Sequence, residues 1–118
     1  MAKILVVDDN AYTRQMLTAI LVPEGHEVIG ATDAQELIKL YEDNNPDLVM
    51  LDVVMPDVDG ITAAKELLGA HPEARIIIES AQQANQLQKE AEDMGIIGYV
   101  PKPFDVETIT AVIKEALK

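Results

Sequence analysis

Five residues could do chemistry together if the fold gathered them: Asp8, Asp9, Asp52, Ser80 and Lys102. Three carboxylates held close together repel one another and drive up each other's pKa unless a cation joins them. Their hard oxygen ligands suit Mg²⁺, which is held by a few carboxylates and keeps several waters. One carboxylate that remains available as a nucleophile can attack phosphorus and form an aspartyl phosphate. Phosphoryl transfer asks mainly for positioning and charge neutralisation. A lysine ammonium and a serine hydroxyl would serve the phosphoryl oxygens. Taken singly, each residue has an ordinary explanation. Asp is favoured at helix starts, Ser in turns and Lys on solvated surfaces. The functional reading therefore depends on the elements that carry them.

Those elements follow from the apolar pattern. Nearly continuous Val, Ile and Leu runs at 3–7, 26–31, 47–53, 75–78 and 98–100 predict strands covered on both faces. Between and after them the apolar residues recur at helical spacing. The stripes are Thr13, Met16, Leu17, Ile20 and Leu21; then Ala34, Leu37, Ile38 and Tyr41; then Ile61, Ala64 and Leu68. Two more follow, at Ala84, Leu87, Ala91 and Met94, and at Val106, Ile109, Ile113 and Ala116. Asp33 with Glu36 three residues on predicts a capping-box start for the second helix. Pro46 and Pro72 follow the ends of the second and third helices, and Gly95 stands where a left-handed terminating residue belongs. Strand and helix alternate five times, which predicts a parallel sheet with helices on both faces. In such sheets ligands bind outside the carboxyl ends of the strands. Asp8 and Asp9 follow the first strand, Asp52 the third, Ser80 the fourth and Lys102 the fifth. All would meet at one edge.

A chain of 118 residues is one ordinary domain with room for a real core. No apolar run approaches the ~20 residues that span a bilayer, and the N-terminus has no signal-peptide pattern. With 0 Cys, a disulfide framework and a thiolate zinc site are excluded. A cytoplasmic setting is the expectation. The net charge of -12 is uneven: residues 1–60 carry 12 acidic and 3 basic side chains, residues 61–118 carry 9 and 6. Such a surface repels phosphate backbones, so direct nucleic-acid binding is not expected. It suits cations and basic partner surfaces, although most of the acids need do no more than keep the protein soluble.

Four stretches go further: Ile4–Asn10, Leu51–Gly60, Ser80-Ala81, and Gly98–Phe104, which reads Gly-Tyr-Val-Pro-Lys-Pro-Phe. Together they closely resemble receiver domains of two-component response regulators, over essentially the whole chain. The resemblance implies a doubly wound (βα)5, flavodoxin-like three-layer sandwich with strand order 2-1-3-4-5. It also implies a single receiver domain over residues 1–118 with no output domain, as in the stand-alone, chemotaxis-type members. Asp52 would be the phosphoacceptor. Asp9 would bind Mg²⁺ directly, Asp8 largely through water, and the Val54 carbonyl would be a further ligand beside Asp52. Ser80 would swing to the phosphoryl group, Lys102 would pair with it, and Tyr99 would act as the rotameric switch. The implied partners are a sensor histidine kinase, docking near the first helix, and a target on the face of the fourth helix, fifth strand and fifth helix, within residues 82–118. A monomer is expected.

Some positions depart from the family's usual pattern. Glu79 is an acid where an apolar or small residue is usual. If it faced the pocket it would disfavour phosphorylation; because strand alternation sets it opposite to Ser80, it is expected to point away. Ile96-Ile97 replaces a usually smaller pair, and Val54 and Gln82 flank the route of an attacking water. Three rival readings share parts of this pattern. A metal-dependent phosphohydrolase with an aspartyl nucleophile would carry Asp-x-Asp on its first strand, whereas here Asp8 and Asp9 are adjacent. A phosphorylation-independent scaffold would be expected to have lost an acidic position, and none is lost. A flavin carrier would need a phosphate-cradling loop after the first strand, where acids stand instead.

Overall fold

The computed structural model describes residues 2–33, 35, 37–52, 60–80, 89, 92–101 and 105–118. Its strands are β1 (Lys3–Val7), β2 (Glu27–Ala31), β3 (Leu48–Asp52), β4 (Ile76–Ser80) and β5 (Gly98–Pro101). Its helices are α1 (Ala11–Leu21), α2 (Leu37–Asn44), α3 (Gly60–Ala70), α4, described at residues 89 and 92–94, and α5 (Val106–Ala116). A single 3-10 turn, Val22–Glu24, follows α1 and ends at Gly25, whose φ of 92° is the left-handed conformation glycine adopts without strain. Gly95 takes the same conformation, φ 100°, as expected of it.

All strand pairs are parallel, in the order β2-β1-β3-β4-β5. The reversal of winding at β1 and β3 opens a crevice at their carboxyl ends. Two apolar layers pack on the sheet. Leu5, Val7, Val49, Leu51, Ile76 and Ile78 meet Leu37, Tyr41, Ile61 and Leu67 of α2 and α3. On the other face Ile4, Val6, Leu48, Met50, Ile77 and Val100 meet Leu17 and Leu21 of α1 and Ile109 and Ile113 of α5. Both faces of every central strand are covered, which is why the strands read as continuous apolar runs.

Strand limits differ from the sequence expectation by a residue or two, most at β4, which runs on through Glu79 to Ser80. The helical stripe of α5 needs one correction: Val106 is 58% exposed. At 3.6 residues per turn it stands about 60° off the direction of Ile109, in a first turn set by Asp105, whose carboxylate accepts from Thr108 N at 2.6 Å and Thr108 Oγ1 at 3.0 Å. At the start of the second helix, Asp33 Oδ1 accepts from Gln35 N at 3.0 Å; Glu36, the other half of the expected capping box, lies outside the described residues. Among the described residues, no helix is long and apolar enough to cross a membrane.

Candidate functional site

The site is built on the ends of β1 and β3. Val7 pairs with Leu51, so Asp8 and Asp52 come next on neighbouring strands. Asp8 N donates to the Ala31 carbonyl at 3.0 Å, which carries the sheet one residue beyond the strand. Three further contacts fix the turn into α1. Asp8 Oδ1 accepts from Asn10 N at 2.8 Å. Asn10 Oδ1 caps the helix by accepting from Tyr12 N at 2.8 Å and Thr13 N at 3.3 Å. Arg14, one turn into the helix, reaches back through Nη1 to the Asp8 carbonyl at 2.6 Å.

The result is a cluster of carboxylates. Asp8 is 0% and Asp52 4% exposed, while Asp9 faces solvent. One oxygen from each of the three lies within 4.8 Å of the others. Carboxylates this close repel one another, and a cation among them would relieve that repulsion. An all-oxygen donor set with one member open to water fits Mg²⁺, which is hard and holds on to its waters.

Glu79 corrects an expectation. It lies in register with Asp52 on one side and Val100 on the other, and it is 0% exposed. Alternation does set it opposite to Ser80, but that direction is the one Asp52 itself takes. Asp52 lies two residues beyond Met50, Glu79 two beyond Ile77 and Asp8 two beyond Val6, all of them on the α1/α5 face. Side chains two apart on a strand share a face. Asp8, Asp52 and Glu79 therefore form a row across three adjacent strands, about 4.8 Å from one to the next.

Of the other expected site residues, Ser80 ends β4 and pairs with Pro101, but its side chain lies outside the described residues, as do Val54, Gln82 and Lys102. Tyr99 pairs with Ile78 and is half-buried against the α2/α3-side cluster. Ile96 is buried in that same cluster, whereas Ile97 is exposed. Sequence reasoning missed Arg14 as a clamp on the acidic turn. It also gave Asn10 no role, though an Asn just before an apolar-periodic stretch is a cap signal.

A five-stranded doubly wound sheet with clustered aspartates at its switch point defines a class of small acidic receiver proteins. The response regulator receiver domain family matches residues 4–114, and the chain belongs to that family. It is 37% identical over 116 residues to the chemotaxis protein CheY of Bacillus subtilis, covering 98% of this chain and 97% of that one. It is 38% identical to the transcriptional regulator NtrC of Azospirillum brasilense, covering 98% of this chain but 24% of NtrC. Among solved structures, a chain of the CheX–CheY–BeF3–Mg²⁺ complex from Borrelia burgdorferi superposes with a TM-score of 0.94 at 32% identity, covering 98% of this chain and 89% of that one. The fold is thus the flavodoxin-like sandwich of CheY-like receivers, and the chain is a two-component signalling module with an acidic cluster suited to a metal.

Proposed function

We propose that this receiver accepts a phosphoryl group on Asp52 from a sensor histidine kinase, with Mg²⁺ held by Asp8, Asp9, Asp52 and the Val54 carbonyl. The observation that carries this reading is the convergence of the three aspartates within 4.8 Å at the carboxyl ends of β1 and β3. Mg²⁺, when bound, would supply the positive charge that lets a phosphodonor approach these carboxylates. The chain's own residues do the rest. Asp52 is the nucleophile. Asp8, held by Asn10 and Arg14, orients the donor set. Lys102 pairs with the phosphoryl oxygens. Self-phosphotransfer and autodephosphorylation are the only chemistry, and no external substrate is turned over.

The output is a switch. Ser80 moves to donate to the phosphoryl group, Tyr99 turns inward, and the surface within residues 82–118 changes for a protein target. Tyr99 is suited to this because it is only half-buried beside the strand that ends in Ser80. The domain works as one unit over residues 1–118, monomeric and cytoplasmic. Its charge of -12 argues against direct contact with nucleic acid.

Incubation with acetyl phosphate and Mg²⁺ should add the mass of one phosphoryl group, labile to hydroxylamine, and Asp52→Asn should lose it. Modification that persists in that variant would move the acceptor elsewhere. Steady hydrolysis of a model phosphate ester would point to a phosphohydrolase instead. Ser80→Ala should still accept the group but show a smaller NMR shift across residues 82–118 with beryllofluoride; a full shift would remove Ser80 from the switch.

A further inference from the structure

β2 is the outer strand of the sheet and pairs with β1 alone. Glu27 N donates to the Ala2 carbonyl at 2.8 Å, and the Ala31 carbonyl accepts from Asp8 N at 3.0 Å. Backbone groups of successive residues face opposite edges of a strand, so Val28 and Gly30 turn their N–H and C=O outward. Among the described residues, no hydrogen bond takes up these groups. Val28 lies against the α1/α5-side cluster, and Gly30 shares its face, with the stem of Arg14 beside it. The absent side chain at Gly30 leaves an open groove of about 420 Å³, walled by Ala11, Arg14, Gln15, Thr18 and Ala19 of α1. The charge around this edge has one sign. Between Arg14 and Lys39 the chain carries Glu24, Glu27, Asp33 and Glu36 and no Lys or Arg. Glu24 and Glu27 are exposed at the start of β2, and the Arg14 guanidinium is already committed to the Asp8 carbonyl.

We infer that the β2 edge is a docking site for an extended, basic segment of a partner protein, which adds to the sheet as a sixth strand. Its backbone pairs with Val28 and Gly30. An apolar side chain of modest size enters the groove over Gly30, and flanking Lys or Arg residues meet Glu24 and Glu27. Strand addition draws affinity from main-chain hydrogen bonds and specificity from pockets for alternate side chains. A second copy of this chain fits less well, because two such edges bring like charges together. The edge is at the opposite end of the sheet from β5, away from the proposed output surface, and the pairing calls for no phosphoryl group.

The probe is a short synthetic peptide of alternating valine and threonine with paired lysines at each end; its counterpart carries glutamates in place of the lysines. Amide hydrogen exchange and NMR shifts are followed on the full chain. The lysine peptide should protect and shift the Val28 and Gly30 amides, and the glutamate peptide should not. Glu24→Gln with Glu27→Gln should weaken binding about fivefold, as the loss of two exposed ion pairs does. Gly30→Val closes the groove against the flexible end of Arg14 and should weaken binding about tenfold. No protection of Val28 and Gly30 by the lysine peptide, or equal protection by the glutamate peptide, overturns the inference. Binding unchanged in both variants places the peptide elsewhere and overturns it too. If the free protein is already a dimer with these amides protected, the occupant is a second copy and the basic-partner reading is overturned.

Discussion

Arg14 Nη1 donates to the carbonyl oxygen of Asp8 at 2.6 Å, tying the first turn of α1 to the residue that opens the acidic cluster. The aliphatic stem of Arg14 runs over β2 at Gly30: a Cβ there would stand 3.4 Å from Arg14 Cδ. The guanidinium is half-buried, so its bond is less diluted by water than a surface contact would be. A hydrogen bond from a charged donor contributes about 1.5–3 kcal/mol. Arg14→Ala should lower unfolding stability by an amount near the bottom of that range. It should also weaken Mg²⁺ binding, because the Asp8-Asp9 turn loses its anchor. Mg²⁺ titration by calorimetry checks this; an unchanged affinity would limit Arg14 to a role in stability.

Asp9 is the solvent-facing member of the cluster and the one expected to contact Mg²⁺ directly. Mg²⁺ that binds the native state raises the melting temperature by mass action. Wild type should gain about 2.7 kcal/mol at a hundredfold excess over the dissociation constant. Asp9→Ala should show no such gain, and it should melt higher than wild type without Mg²⁺, because one repelling charge has gone. A thermal melt with and without Mg²⁺ reads both effects, and an unaltered response would exclude Asp9 as a ligand.

At the far end of the sheet, His71 Nε2 stands 2.8 Å from Glu42 and Nδ1 3.3 Å from Glu73, with the ring 4.9 Å from that of Tyr41. The hydrogen bond to Glu42, helped by Glu73, holds its pKa above the ordinary 6.5 against the opposing effect of partial burial. The folded state therefore binds this proton more tightly than the unfolded chain does. The resulting stabilisation is fully present below pH 6.5 and is lost as pH rises through the raised folded value. His71→Gln should flatten the stability curve over that window. Urea midpoints at half-unit pH intervals test it; parallel curves for the two proteins would show that the cluster is energetically idle.

Gly98 opens β5 beneath α5. A Cβ there would stand 3.0 Å from Ile77 Cγ1 and 3.2 Å from Val112 Cγ1, closer than ordinary contact on both sides. Ile77 is wholly buried and cannot retreat. Gly98→Ala should cost about 1–3 kcal/mol, as overpacking does in a filled core. Because Tyr99 is the next residue, the same change should shift the amide resonance of Tyr99 in NMR. Wild-type stability in this variant would mean that α5 can move aside freely.

The sequence by itself determined the parallel sheet, the covered strands and the edge at which the aspartates meet. Those features are written in runs such as Lys3–Val7 and Leu48–Asp52 and in the period of the stripes between them, because burial on two faces demands unbroken apolar strands. It also carried the motifs by which family membership could be read. Tertiary structure decided what depends on register. Alternation within β4 tells only that Glu79 and Ser80 point oppositely. Which of them shares a face with Asp52 depends on how β4 lines up against β3, and the pairing of Asp52 with Glu79 resolves it. Arg14 is similar: nothing local distinguishes it from a solvated helix cation, and only the approach of α1 to the end of β1 turns its guanidinium onto Asp8. A register and a helix approach are set by the packing of the two apolar layers as a whole, which no single segment contains.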